Sequence, residues 1–309
     1  MRLGTVCYEK RERVVADLGE GRMLDLHLAA EHAHENEAPF IDMLSVIYGG
    51  DEALALTQSL IDNAQDAAIL LEDEITFRPP IQPVQYRDCL VFETHLKNSF
   101  AQAEKMTGRP FAIPPVWYDQ PIYYKGNRMS FIGHKEDVIW PGYAHFLDVE
   151  LEMAIIIGKK GKDISAADGP AHIFGYSILN DVSARDAQMV EMPGQLGPAK
   201  GKDFDTGNIL GPWIVTADEV PHPAALDMEV TVNGARWGGG NSSQMHHDFG
   251  RIIEHISASE TLYPGEVIGS GTVGTGCGLE IGKQLQPGDQ FDLTIEKIGT
   301  LTNRIVKKG

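Results

Sequence analysis

The segment FLDVELEMAIIIGK, residues 146–159, constrains the fold more than any other stretch of this chain. Read as a strand, it sends Leu147, Val149, Leu151, Met153 and Ile155 to one face and Asp148, Glu150 and Glu152 to the other. Like charges at that spacing repel each other. A wet strand face would tolerate them, but the acid face continues into Ala154 and Ile156, which belong in a core. Buried carboxylates need a counter-charge, and a divalent cation is the economical one. Ligation by oxygen alone points to Mg²⁺ or Mn²⁺, with Ca²⁺ a further candidate, rather than zinc. Asp148 lies two residues, roughly 6.5 Å, farther along than Glu150, which puts it in an outer layer or outside the site.

Around that strand the chain is rich in turns. Its 33 glycines separate short β-branched runs, among them AHIFGYSILNDVS, GPWIVTADEV, LDMEVTVNGARW and DQFDLTIEKIGTLTNRIV. This is the pattern of many strands joined by tight turns. One clear helix interrupts them, HDFGRIIEHISASE, with Asp248 as its cap and Ile252, Ile253 and Ile256 on its buried stripe. Residues 1–75 differ. A small hairpin around Gly19–Gly21 precedes two stretches of helical apolar spacing, APFIDMLSVIYGG and DEALALTQSLIDNAQDAAILL. His27, His32 and His34 fall between these elements and read as a solvated helix end or loop. Pro79, Pro80 and Pro83 punctuate the junction, so we expect an accessory unit over 1–75 and a catalytic unit over 76–309. The expected class is α+β, predominantly β.

With 309 residues, 42% of them hydrophobic and 23% charged, disorder and coiled coil are excluded. A net charge of −18, from 44 acids against 26 bases, repels phosphate backbones and anionic membranes, so neither nucleic acid nor membrane is an expected partner. Cys7, Cys89 and Cys277 are scattered and form no CxxC pair, which indicates neither a disulfide framework nor a structural zinc site. No long apolar run opens the chain, and a cytoplasmic protein is expected.

Three further segments carry candidate chemistry. In NDVSARDAQ, an apolar strand ends in a polar turn, and a helical turn there would align Asp181, Arg185 and Gln188. From spacing alone, a third metal carboxylate and a helix cap with a local Asp–Arg pair are equal readings of Asp181. Lys202, in GKDFDT, is a substrate clamp or a surface charge, and sequence physics alone favours the surface. In DCLVFETH, Asp88 and Glu93 flank the approach to His95, a candidate general base. GSGTVG at 269–274 matches G-x-G-x-x-G literally, but no helix pattern follows it and no Gly-Lys-Ser/Thr occurs there. Both nucleotide-binding readings are rejected on that ground.

Taken together, DVELEMAIIIGK, NDVSARDAQ, GKDFDTGNILGPWIV, LYPGEVIGSGTVG and GCGLEIGKQLQPGD, in that order, resemble the fumarylacetoacetate hydrolase family over roughly residues 80–305. The resemblance implies a mixed β-sandwich roll with a small amino-terminal accessory β domain, usually dimeric, binding Mg²⁺ or Mn²⁺. It implies Glu150, Glu152 and Asp181 as metal ligands, with Asp88 as an additional one. It puts His95 in the place of the catalytic histidine and Glu280 in that of its glutamate partner. Arg185, Gln188 and Lys202 match substrate and intermediate contacts, Tyr124 a substrate tyrosine and Thr272 a carboxylate-binding threonine. Where fumarylacetoacetases have an arginine nine residues after the histidine, this chain has Glu104, the wrong sign for a distal carboxylate. Where acylpyruvase members have His-x-x-Glu, His95 is followed by Asn98, with Glu93 on the other side.

The expected activity is metal-dependent hydrolysis of a carbon–carbon bond in a 2,4-dioxo acid of the acylpyruvate type. His95, oriented by Glu280 or Glu93, would activate water, and Lys202 would stabilise the leaving enolate. The alternative keeps the site and changes the reaction, to decarboxylation of a 2-oxo dicarboxylate or to hydration or isomerisation of a 2-oxo-enoate. A binding protein without catalysis is a third reading, disfavoured because every expected ligand position holds an acid.

Overall fold

A computed structural model describes residues 1–307. Its strands form a twelve-stranded sheet, a five-stranded sheet and a two-stranded ribbon. The class is α+β and strand-rich, as expected, and the sheets are mixed: Val267–Gly269 runs parallel to Tyr86–Cys89 but antiparallel to the strand of the acid segment.

The acid segment occupies the centre. Its strand Leu151–Ile157 lies between Ile173–Asp181 and Val267–Gly269 in the large sheet. Leu147–Asp148 pairs separately with Ser183–Ala184, so the segment is two short strands broken at Val149–Glu150. The alternation survives the break. Leu147, Val149, Leu151, Met153, Ile155 and Ile157 pack in one core with Val230, Leu293 and Leu301 of the five-stranded sheet and with the helix Phe249–Ser257. Ala154 and Ile156 pack in a second core on the opposite face, with Leu179, Leu210 and the amino-terminal residues Leu3, Val14, Leu24 and Val46. The face that carries the acids is therefore dry where it continues, because the amino-terminal region covers it.

That region is joined to the large sheet by Arg2–Tyr8, which pairs with Asn208–Thr216. The hairpin expected around Gly19–Gly21 joins Arg11–Gly19 to Arg22–Asp25, with Gly19, Glu20 and Gly21 all at positive φ. The helical spacing resolves as one helix, Met43–Asp62, interrupted at Gly50 (φ 53°). The residues AILL do not continue it; Ile69–Leu71 is a strand on the sheet edge. His32 and His34 are exposed. Asp248 caps its helix through the Arg251 amide at 2.8 Å.

The stretch after Tyr86 differs from the expectation of strands and loops. Glu93–Thr107 is a helix of 15 residues that ends at Gly108 in the left-handed region (φ 69°). Leu96 on its buried side and the closing glycine are its signature. Among the described residues no helix is long and apolar enough to cross a membrane.

Candidate active site

Five buried carboxylates meet two buried cations in one place: Asp88, Asp148, Glu150, Glu152 and Asp181 against Arg185 and Lys202. Neighbouring strands deliver them. Asp88 comes from Tyr86–Cys89, in register with Gly269 on one side and Tyr124 on the other. Glu152 lies opposite Leu179 and Leu151 opposite Asn180, so Asp181, at the strand's end, arrives beside the acid segment. Arg185 opens the helix Arg185–Glu191, and Lys202 closes the short helix Ala199–Lys202.

The cations are not shared evenly. Arg185 donates from Nε and Nη2 to Asp148 Oδ2, at 3.0 and 2.8 Å, and Nη2 lies 2.7 Å from Glu150 Oε1. Lys202 Nζ lies 2.5 Å from Glu150 Oε2 and 2.6 Å from Asp181 Oδ2. Asp148 also accepts from the Gly278 and Leu279 amides at 2.6 and 2.9 Å. It anchors the loop that carries Glu280 and stands outside the remaining acid group, as its position along the strand predicts. Lys202 is buried, which overturns its surface reading; Asp181 and Glu150, 21 and 52 residues away in sequence, supply its counter-charges.

Asp88 and Glu152 pair with neither cation, and with Asp181, which shares Lys202 with Glu150, they form a group in which one oxygen of each lies within 4.8 Å of the others. Asp88 Oδ1, Glu152 Oε1 and Asp181 Oδ1 are buried without a hydrogen-bond partner. The remaining oxygens of the latter two are fixed: Glu152 Oε2 accepts from the Gly271 amide at 2.9 Å, and Asp181 Oδ2 from the Tyr124 hydroxyl at 2.8 Å. Gly269 lines the same space. A Cβ there would lie 2.8 Å from Glu152 Oε2 and closer still to Asp88 Oδ1. The glycines of GSGTVG thus serve a carboxylate cradle and not a phosphate. Burial, joined by the neighbouring acids, pushes Asp88 and Glu152 well above the ordinary carboxylate range and also raises Asp181. Burial opposes ionisation of Glu150 too, but Arg185 and Lys202 outweigh it and hold that group below its ordinary range. Three converging carboxylates, each with one buried oxygen that has no donor, in a glycine-lined space, fit a hard divalent cation.

His95 stands beside this cluster on the helix Glu93–Thr107. Its Nδ1 is 2.8 Å from Glu280 Oε1, and its Nε2 is 4.0 Å from Glu150 Oε1. Glu280 Oε2 accepts from Asn98 Nδ2 at 2.9 Å and from the Thr275 amide at 2.7 Å. Glu93 is not a partner of His95: it faces outward and holds Tyr118 Oη at 2.6 Å and Lys97 at 2.9 Å. One residue separation on that helix explains the correction, since Glu93 and His95 are two apart and project in different directions. Asn98, three residues after His95, shares its side and was the readable signal for a second Glu280 ligand. Gln188 accepts from Arg185 Nη1 at 3.1 Å, and Thr272 is buried one residue beyond the amide that holds Glu152. Cys277, which sequence reading left without a role, has its thiol 3.4 Å from Glu280 Oε1.

A buried acid cluster flanked by a histidine–glutamate pair on this sheet arrangement defines a class. The family model for the carboxy-terminal region of fumarylacetoacetate (FAA) hydrolase matches residues 92–306, and the chain belongs to the fumarylacetoacetate hydrolase family. Protein Rv2993c of Mycobacterium tuberculosis is 42% identical over 214 residues, 69% of this chain and 74% of that protein. The human mitochondrial oxaloacetate tautomerase FAHD2A is 32% identical over 267 residues, 85% of this chain and 79% of the relative. Among solved structures, 5-carboxymethyl-2-hydroxymuconate delta-isomerase from Mycobacterium smegmatis matches with a TM-score of 0.72 at 27% identity, each chain covered in full.

Proposed function

We propose that the protein is a metal-dependent hydrolase that cleaves a carbon–carbon bond in a 2,4-dioxo acid of the acylpyruvate type, giving pyruvate and a carboxylic acid. The observation that carries this reading is the His95–Glu280 pair, 2.8 Å long and set against the acid cluster. Both Glu280 oxygens face donors, Oε2 taking Asn98 Nδ2 and the Thr275 amide and Oε1 facing His95, so Nδ1 carries the proton and Nε2 keeps its lone pair on the side of Glu150. That is the arrangement of a general base awaiting a water molecule.

Asp88, Glu152 and Asp181, with Glu150 adjoining, would hold Mg²⁺ or Mn²⁺, which supplies Lewis-acid charge to the substrate's carboxylate and 2-oxo oxygens. His95 removes a proton from water, and the oxygen adds to the distal carbonyl carbon. The bond to the methylene carbon then breaks, its electron pair leaving with the three-carbon fragment as the enolate of pyruvate. The proton taken by His95 is the one available to return to that carbon. Lys202, held 2.5 and 2.6 Å from two carboxylates, keeps a positive charge beside the developing enolate without reorganising. Arg185 and Gln188, joined at 3.1 Å, and Tyr124 and Thr272 are positioned to orient the substrate.

A second reading is favoured by the names of two relatives, a tautomerase at 32% identity and an isomerase at 27%. In it His95 shuttles a proton between carbon and oxygen of a 2-oxo acid, and no carbon–carbon bond breaks. Incubating the protein and Mg²⁺ or Mn²⁺ with acylpyruvates, oxaloacetate and 2-oxo-enoates separates the two. Release of pyruvate from an acylpyruvate is the expected result. Enol absorbance that decays on oxaloacetate, with no pyruvate formed from any acylpyruvate, would replace the first reading by the second.

A further inference from the structure

Cys277 has no part in the chemistry above, yet its thiol faces both members of the base pair. Sγ lies 3.4 Å from Glu280 Oε1 and 3.9 Å from His95 Nδ1, and those two atoms are 2.8 Å apart. A thiol, an imidazole and a carboxylate therefore converge on one point, with all three ligand atoms within 4.8 Å of one another. His95 and Cys277 are 182 residues apart, so no spacing motif announces the group.

The donor set differs in kind from the cluster beside it. Asp88, Glu152 and Asp181 offer oxygen only and suit hard cations, whereas sulfur with nitrogen selects a softer ion. A tetrahedral zinc with bonds of about 2.0–2.3 Å keeps its ligands roughly 3.3–3.7 Å apart. The 3.4 and 3.9 Å edges sit around that range, and the 2.8 Å edge has to open by roughly half an ångström. All three side chains are buried, Glu280 on the turn Leu279–Ile281 included.

We propose that His95, Cys277 and Glu280 bind a thiophilic divalent cation, zinc being the type ion, and that its binding switches the enzyme off. The inhibitory half rests on His95 acting as the base; the binding half does not. On binding, the thiol proton passes to solvent and the cation takes the place of the hydrogen bond between Nδ1 and Glu280. A neutral imidazole ligated through Nδ1 must carry its single proton on Nε2. The nitrogen that faces Glu150 then has no lone pair and cannot accept a proton from water. Water completes the fourth position of the ion, as at other three-ligand zinc sites.

The test uses the full-length protein saturated with Mg²⁺, so that the oxygen cluster does not compete. Cadmium titration without substrate is expected to give a cadmium–thiolate charge-transfer band that saturates at one ion per chain. Cys277→Ser, checked for an unchanged thermal melt, should lose the band, and His95→Gln should weaken cadmium binding by at least roughly 100-fold. Imidazole nitrogen NMR of the zinc-bound protein should place the His95 proton on Nε2. In turnover assays on the substrate that the panel identifies, zinc should inhibit wild type and inhibit Cys277→Ser at least roughly 100-fold more weakly. A band that persists undiminished in both Cys277→Ser and Cys277→Ala would overturn the site. So would zinc inhibition of equal strength in wild type and Cys277→Ser. Because cadmium binding and NMR need no substrate, a failure of the hydrolase reading leaves them fully informative.

Discussion

Glu150 and Glu152 are two residues apart on the acid segment, both buried, and held in opposite states. Glu150 has Arg185 on one oxygen and Lys202 on the other, which keeps it ionised below the ordinary range. Glu152 has one backbone amide and an oxygen with no partner, and burial drives it far above that range. The difference teaches that the spacing of acids along a strand does not decide their charge. What decides it is which distant element brings a cation: Arg185 goes to Asp148 and Glu150, Lys202 bridges Glu150 and Asp181, and neither pairs with Asp88 or Glu152. Asp88 and Glu152 are left to be neutralised by protons or by an ion from outside.

The largest effect belongs to the base that borders both groups. His95→Ala should lower kcat by about 10²–10⁴-fold, read in steady-state turnover on the substrate found in the panel. Wild-type turnover in that variant would remove His95 from the chemistry.

Stability should respond with opposite signs on the two sides. Arg185→Met strands Asp148 and Glu150 in a buried site and should cost about 3–5 kcal/mol in denaturant unfolding. Glu152→Gln removes a charge that nothing offsets and should leave the metal-free protein as stable or more stable, by on the order of 1 kcal/mol. Losses of similar size in the two variants would mean that the cations are shared and the contrast false.

A pH series sharpens the same point. Asp88 and Glu152 titrate higher folded than unfolded, because burial opposes ionisation of both, joined by the charge of Asp181 at Asp88 and by that of Asp88 at Glu152. Their contribution is therefore present below about pH 4, where both states are protonated, and is lost as pH rises through the folded values. The melting temperature of chelator-treated protein should carry that falling contribution, and Mg²⁺ should restore more stability at pH 8 than at pH 5. A metal-induced shift that does not grow with pH would contradict the assignment. At the small end, Glu93→Gln changes an exposed pair and should alter kcat by less than roughly twofold.

Much of this was legible in the chain. The alternation of 147–157 showed which side chains share a face, and Ala154 and Ile156 showed that the acid face is covered. The linked motifs carried the family. The helix Glu93–Thr107 was not legible as such, because its apolar positions are few and His95 and Asn98 on its working side are polar. Nor was the division of the acids. Lys202 reads as a surface lysine until the strand ends at Glu150 and Asp181 are brought to it. Cys277 was invisible for the same reason, since its neighbours His95 and Glu280 come together only in the folded loop.

In the proposed site Asp88, Glu152 and Asp181, each with a buried oxygen that has no hydrogen-bond partner, hold a divalent cation. Manganese binding followed by electron paramagnetic resonance tests it most directly, on wild type and on Glu152→Gln and Asp181→Asn. The prediction is one saturable site per chain in wild type that Mg²⁺ displaces, and loss of that site in both variants with their folded content intact. Manganese bound with unchanged affinity and stoichiometry in both variants would contradict it.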